Sequence, residues 1–547
     1  MQTPFWKSLF RRKLAAATCS AIAALVVACG GGVLVAEGVG VGTGGTGIVN
    51  GAISGLGSII VEGVRYDDSQ ATLVRLPDLL NSETLSLSDL QVGQYASLEF
   101  DASGTMVRAN IQSQLVGPVG SISAANGRFA VWGQTVSINV NPDVGPVTVF
   151  SGYAGLAAVS PLDRVQVYGA LQVDPTNSAR DVIRATRVER LADATTLPAR
   201  VTGTARTSAN GTWTLSTIPL DTGSAVIAPE NQKIADGDVV TAVIAWPQPA
   251  SAVVTSLKAS AVRIIGLGDA TAGSARLSGI VTTRPDGQML LQGVPLDVSA
   301  PSFAALRDTV RNGTYVTLVG TINRSTGALV VDAAEMVPAG GRPMELWGSV
   351  TSLLNQDSFS VRGMWINARA AQWVGGAAAN LANGSYVEIT GSVTGNVLNA
   401  TKVVMQSTLP DKAVLDVSGL VLSVDTASRR MSVLTSDNKK LDLLMDAATV
   451  LPTVGATVRA AGFWKDGSLT VNTLSNQPAM DSEKTLLEGI VDSVAVGQFS
   501  VNGIVVYFDS MMFPSLQLKG GERIEVWVKV VGGQYQVVDA KTLPPRR

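Results

Sequence analysis

The sequence predicts an all-β protein: a tandem array of about seven small closed or partly open β-barrels, OB-like (of the oligonucleotide/oligosaccharide-binding type). Three observations carry this expectation. A short pattern of glycines and alanines recurs at steps of 69 to 83 residues. The segments between marks alternate apolar and polar residues and are bounded by Asn-Gly and Asp-Gly turns, which is a hairpin signature. With 547 residues a single core is excluded, because cores stop growing near roughly 250–300 residues.

The first mark is a glycine inside an alternating strand: Gly51, Gly120, Gly203, Gly279, Gly348, Gly419 and Gly489. A glycine there suits a bulge or sharp bend, which a small sheet needs in order to close. The second mark is a glycine just before a valine-rich strand, at Gly93, Gly237, Gly313, Gly384, Gly455 and Gly521, replaced in the second unit by PLDRVQVYG. The third is an alanine in the closing strand, at Ala109, Ala185, Ala333, Ala400 and Ala540. A period of this kind, read before anything else, points to repeated domains. Less regular pieces such as LDVSAPSFAALRDTVR and ARAAQWVGGAAANLA predict one helical turn or a plugging loop. The third unit departs most, with TWTLSTIPLD in place of the Phe-x-Val-x-Gly strand.

The predicted organisation is a leader over 1–28, a cysteine and Gly-rich tether over 29–49, and barrel repeats over 50–115, 116–192, 198–265, 275–337, 343–407, 413–475 and 484–542. Pro-, Gly- and Ser-rich stretches separate the later repeats. They are short, so neighbouring barrels are expected to touch. Seven barrels fully strung out would reach on the order of 200 Å.

Composition agrees with β modules. Charged residues make up 15% of the chain, well under the usual quarter or so, and the 56 glycines favour sheet and turn over helix. At the N-terminus, Lys7, Arg11, Arg12 and Lys13 precede an apolar run over 14–28, too short for a stable membrane span. The run ends in Val26-Val27-Ala28-Cys29-Gly30. This resembles the bacterial lipobox, which implies a signal peptide cleaved before Cys29, acylation of Cys29, and a membrane lipid anchor. By the same resemblance, Gly30 in place of Asp implies the outer membrane, with the body in the periplasm or on the cell surface. Two or three acyl chains anchor firmly where one does not, at about 0.8 kcal/mol per buried methylene.

Loss of such a leader removes four basic residues and no acid, leaving 37 of the 41 basic residues against all 43 acidic ones. A mildly acidic surface argues against nucleic acid as a partner, since that needs a basic footprint. Both cysteines, Cys19 and Cys29, lie in or at the end of the leader, so the body has no disulfide and no thiolate metal site. The tether contains two formal G-x-G-x-x-G matches, starting at Gly40 and Gly42. A strand-like segment follows them instead of a helix, so they read as flexible linker and no cofactor is expected.

The chain holds no histidine, which removes Ser-His-Asp and Cys-His nucleophile systems and histidine metal sites. Neither a G-x-S-x-G elbow nor a Walker A loop is present. Paired carboxylates remain the one catalytic option, with Asp67, Asp68, Asp163, Asp221, Asp236 and Asp238 as the densest acids. Adjacent strand residues face opposite ways, so these read as turn carboxylates. No catalytic, cofactor-binding or metal-ligating residue is expected. The tryptophans occupy different repeat positions, which favours packing roles, but Trp347, Trp365 and Trp373 fall in one unit and form the candidate aromatic binding patch. Asn-Gly pairs at Asn210, Asn312 and Asn383 read as tight turns.

The segment GAISGLGSIIVEGVRYDD after the tether, and repeats such as QFSVNGIVVYFDS, resemble an uncharacterised family of Gram-negative lipoproteins built from tandem small β-barrel domains of unknown function. The resemblance covers essentially the whole chain beyond the leader and implies location and architecture, but no activity. The expected role is therefore a non-catalytic cell-envelope spacer, adhesion element or assembly scaffold. The candidate partners are an envelope protein or polysaccharide, and the alternative is a carboxylate-based hydrolase acting on such a polysaccharide.

Overall fold

The computed structural model describes residues 46–543, apart from 175–176, 193–194, 196, 209–210, 247–254, 267–272, 285, 411, 436–438, 477–484, 502–503, 510–517 and 532–533. The predicted leader, Cys29 and most of the tether lie outside the described residues. No helix among those described is long and apolar enough to cross a membrane.

The regular structure of the described residues is nearly all strand, in seven successive sets that we number as units 1 to 7. Unit 6 shows the pattern most simply. Its strands Val414–Asp425, Arg430–Thr435, Lys440–Leu444, Thr457–Lys465 and Ser468–Asn476 close into a barrel in the order 1-2-3-5-4. The first strand pairs antiparallel with the fourth, Gly419 opposite Val458, and the third runs parallel to the fifth, Leu443 opposite Leu469. Unit 7 closes in the same order. Units 2 to 5 repeat both pairings, with Gly203 opposite Val240, Gly279 opposite Val316 and Gly348 opposite Val387 for the antiparallel one. This is the five-stranded, Greek-key order of an OB-like barrel.

The glycine marks acquire distinct physical roles. All six glycines of the second mark have φ between +82° and +89°. Each donates its N–H to the first strand of its own barrel, as Gly93 does to Ile53 O at 2.8 Å and Gly313 to Val281 O at 2.7 Å. In unit 2 the position is filled by Leu162, at φ +69°, donating to Val119 O at 2.8 Å. The acceptor always lies two residues past the first-mark glycine, so the first mark of unit 2 is Gly117, correcting Gly120. The bulges lie elsewhere. The register of the fourth strand shifts at Gly169, Gly320, Gly391 and Gly462, so these glycines, rather than the first-mark ones, mark the bend there.

The first-mark glycines make room. In units 1, 2, 4 and 5 the second and third strands are joined by two-residue turns in which both central residues have positive φ, the type I′ geometry that suits hairpin twist. In four units a large side chain occupies the first of these positions: Glu62 (φ +51°), Trp132 (+54°), Gln292 (+53°) and Arg362 (+50°), each followed by a glycine. That side chain folds back over the first strand. A Cβ on Gly51 would lie 2.9 Å from Glu62 Cγ, one on Gly279 2.7 Å from Gln292 Cγ, and one on Gly348 2.9 Å from Arg362 Cγ, while one on Gly117 would collide with the Trp132 indole. Unit 3 makes the corresponding hairpin from Trp213–Leu215 and Ile218–Asp221, where Ser216 has φ +54° and Thr217 does not share the positive φ. Its TWTLSTIPLD sequence is thus a variant turn and keeps the unit's architecture.

The mid-segments act as plugs. In unit 4 Pro301–Ala304 forms a single helical turn that buries Phe303 in the barrel core. In unit 5 the corresponding stretch gives a short strand, Gln372–Val374, and a 3-10 turn, Ala378–Asn380.

Units also join one another through backbone. Gly47–Asn50 of unit 1 runs parallel to Ser274–Leu277 of unit 4, and Gly55–Leu56 runs parallel to Glu345–Leu346 of unit 5. Units 1, 4 and 5 thereby share one 18-stranded sheet, and units 2 and 3 share one of 12 strands. One apolar core continues from unit 1 into unit 5, where it takes in Leu346, Phe359 and Ile389. Unit 7 packs on Leu420 and Leu434 of unit 6. The string is folded back so that unit 1 meets units 2 to 6, through contacts such as Thr186 to Gly93, Arg200 to Leu76 and Asn472 to Ser88.

Candidate functional site

The three tryptophans of unit 5 take separate places. Trp347 lies against unit 1: its ring is stacked by the Arg65 guanidinium at 5.0 Å, and its Nε1–H donates to Glu345 Oε1 at 2.8 Å. Trp373 packs on the core, 6.4 Å from the Phe359 ring. Only Trp365 presents its ring outward, 38% exposed. Trp365 and Trp373 stand opposite Val397 and Val403 of the same neighbouring strand, which puts their backbones about 20 Å apart at ~3.3 Å per residue. The structure does not bring the three into one platform. Elsewhere Trp132 packs against Trp246 at a tilt of 53° with centroids 6.1 Å apart, and Arg164 lies 4.6 Å over Trp246. These rings pack between barrels.

Of the acidic residues singled out in the sequence, Asp67, Asp163, Asp221 and Asp238 cap turns, and Asp236 ties its loop to the end of the first strand of unit 3. Asp67 accepts the Ser69 N–H at 2.9 Å, Asp163 that of Ser160 at 2.8 Å, Asp221 that of Gly223 at 2.9 Å, Asp236 that of Thr207 at 2.7 Å and Asp238 that of Ala235 at 2.7 Å. Asp67 and Asp68 also differ in environment. Hydrogen bonds from Ser69 hold the Asp67 carboxyl below its ordinary range, while burial pushes Asp68 up.

What the structure does gather is the turn-tip residues, at the seams between units. Gln292 of unit 4 accepts the Leu171 N–H of unit 2 at 3.0 Å and donates to Tyr95 Oη of unit 1 at 3.1 Å. Arg362 of unit 5 donates to Leu87 O and Leu90 O of unit 1 at 2.8 and 2.7 Å. Ser216 of unit 3 accepts the Asp181 N–H of unit 2 at 3.0 Å. Trp132 of unit 2 meets Trp246 of unit 3. Sequence reasoning missed these residues because it attended to the glycines and passed over the residue just before them. The sign was there: VEGV, VWGQ, LQGV and VRGM each carry a different large residue at one repeat position.

The most polar seam surrounds Glu62, which is 3% exposed. It accepts the Tyr315 hydroxyl of unit 4 at 2.5 Å and the Ala52 N–H at 3.2 Å, with Arg342 Nε 3.6 Å away. Arg276 nearby holds Glu335 through two bonds of 2.6 and 2.7 Å. Burial raises the Glu62 carboxyl, against the hydrogen bond from Tyr315 and the charge of Arg342. Burial and the Glu62 charge push the Tyr315 hydroxyl well above its usual range. Burial drives the Tyr66 hydroxyl beside them up to about 12.

A raised carboxyl in the folded state means that the fold takes up its proton more readily than the unfolded chain does. The stability Glu62 contributes is fully present below its ordinary value of 4.5 and is lost as pH rises through the raised folded value. Urea denaturation from pH 4 upward should therefore show a fall in midpoint across that window that is absent in Glu62→Gln. Equal pH slopes in the two proteins would assign the dependence to other carboxylates.

Among the described residues no group of three or more His, Cys, Asp or Glu is placed to hold a metal ion. Residues 348–404, which begin at the first-mark glycine of unit 5, match DUF5666, a domain of unknown function. No curated protein matches the chain. Among solved structures, the CSD456 segment of Drosophila Unr is similar at 12% identity, covering 37% of this chain and 97% of that one with a TM-score of 0.12. A Lactobacillus plantarum protein is similar at 9% identity, covering 79% of this chain and 97% of that one with a TM-score of 0.10.

Proposed function

We propose that the protein is a non-catalytic scaffold of the cell envelope, tied to the outer membrane through lipid on Cys29, that holds an envelope polysaccharide or protein on a fixed arrangement of barrels. The observation that carries this reading is the use of the turn-tip residues. Glu62, Trp132, Ser216, Gln292 and Arg362 are each spent on a neighbouring unit. Barrels locked in this way present a preformed surface, and pre-organisation lowers the ordering cost of binding. A rigid body also suits an assembly platform better than an extended spacer does. The turn-capping roles of Asp67, Asp163, Asp221 and Asp238 favour binding over hydrolysis.

The test has two arms. Envelope fractionation of cells making the wild type and Cys29→Ala should find the first in the membrane pellet and the second in the soluble fraction. Pull-down from envelope extracts with the full chain should enrich a glycan or protein. A Cys29→Ala chain that still sediments with membranes overturns the lipid anchor. Turnover of an envelope polymer by the purified chain overturns the scaffold reading.

A further inference from the structure

A cavity of about 600 Å³ lies between units 1, 2, 3 and 4, within the roughly 300–1,000 Å³ typical of small-molecule sites. Its floor is the outer face of the unit 1 barrel, formed by strands Gly47–Leu56, Tyr95–Phe100 and Met106–Ile111. Residues of these strands alternate between two environments. Val49, Ala96, Leu98, Ala109 and Ile111 fill the core, while Asn50, Ser97, Glu99, Arg108 and Asn110 line the cavity.

The register sets these lining residues in rows. Asn50 stands opposite Ser97, and Ser97 opposite Asn110; one step along, Glu99 stands opposite Arg108. Cross-strand neighbours have Cβ atoms about 4.5–5.5 Å apart, so Asn50, Ser97 and Asn110 form a continuous polar bar across three strands. Two of its groups are unpaired. Asn110 is 8% exposed and its Oδ1 has no hydrogen-bond partner, and the buried Oδ1 of Asn50 has none either. A buried amide oxygen left unmatched costs about 1–3 kcal/mol, and rotation of either carboxamide towards a hydroxyl in the cavity would recover it.

We propose that this cavity binds a short stretch of neutral oligosaccharide, with its hydroxyl groups paired to the Asn50–Ser97–Asn110 bar. The inference rests on the scaffold reading and supplies its ligand class. Carboxamides and sugar hydroxyls each offer donors and acceptors together, so they match in either orientation. Glu99 stands opposite Arg108 in the floor, and with Asp101 and Arg263 also in the lining the formal charges sum to zero, which favours a neutral ligand over a charged one. The site uses the first, fourth and fifth strands of its barrel, and the roof comes from Arg263 of unit 3, Leu171 of unit 2 and Gln292 of unit 4. It therefore exists only when the units are assembled, and Gln292 serves both as a seam residue and as part of the wall.

The test is calorimetric titration of the full chain in detergent with maltohexaose, cellohexaose and chitohexaose, paired with amide hydrogen exchange. At least one hexaose should bind and slow exchange over residues 95–112. Ser97→Trp, which fills the floor, should weaken that binding at least tenfold, and Asn110→Ala at least threefold. Trp365→Ala on the outer surface of unit 5 should leave it unchanged. Circular dichroism and thermal melting check that each variant folds; if Ser97→Trp does not, Asn110→Ala carries the test. Absence of binding by all three sugars overturns the proposal, as does full binding by Asn110→Ala or its loss in Trp365→Ala. A chain that enriches an envelope partner yet ignores all three sugars overturns this inference alone, whereas chain-dependent shortening of the hexaose overturns the scaffold reading.

Discussion

Gly279→Val should destabilise the protein by about 2–3 kcal/mol, the upper range for forcing extra atoms into a packed site. A Cβ at Gly279 would sit 2.7 Å from Gln292 Cγ and 2.8 Å from its Nε2, so Gln292 must leave the slot. When it leaves, the Leu171 N–H loses its partner across the seam, and Tyr95 Oη is left with its bond to Ser278 O alone. The loss therefore reaches beyond unit 4, and hydrogen exchange should rise at Leu171 in unit 2 as well as within the altered barrel. A double-mutant cycle distinguishes this from simple strand damage. Gln292→Ala removes the side chain that the valine meets, so Gly279→Val should cost at least 1 kcal/mol less in that background, since residues in contact couple by roughly 0.5–3 kcal/mol. Strict additivity, measured by urea denaturation, would refute the slot.

Arg362→Ala should cost about 2 kcal/mol, because it empties a half-buried position and orphans acceptors on a different unit. The Arg362 Nη2 group is shared by Leu87 O and Leu90 O, and burial lowers the guanidinium to about 10. Removing one partner of a partly buried, charge-assisted contact is expensive because the other stays desolvated. Exchange should therefore accelerate over residues 87–94 of unit 1, far away in sequence. Arg362→Lys keeps the charge but loses the planar fork, and should fall between the wild type and the alanine variant. A loss under about 1 kcal/mol for the alanine variant would show that unit 5 is held on unit 1 by its shared sheet and core alone.

The fold class was legible because a barrel strand writes its two faces into alternate residues and its turns into Asn, Asp and Gly. The seven-fold recurrence was legible for the same reason. The purpose of the first-mark glycines was not. A glycine in a strand fits a bulge as well as it fits a slot, and the side chain that needs the slot lies ten or more residues away in sequence. Leu162 shows a related limit: a leucine at φ +69° carries no trace of the glycine role it fills, so the unit 2 marks slipped by three residues. The aromatic patch fell short because three tryptophans in one unit need not share a face, and one unit's surface is mostly another unit's seam. The polar bar in the unit 1 floor went unnoticed for the opposite reason, since polar residues on the outer face of a strand look like ordinary solvent contacts until other barrels roof them over.

The differing turn tips have one further consequence. In a solenoid each repeat touches only its neighbours in the chain, so repeats can be exchanged or added with little penalty. Here a glutamate, a tryptophan, a serine, a glutamine and an arginine stand at equivalent positions, and each fits its own receptor on one or, for Gln292, two other barrels. The tips act as addresses. Two barrels exchanged in the gene would arrive with the wrong keys, so the order of the repeats is information the protein cannot shuffle, however alike the barrels are.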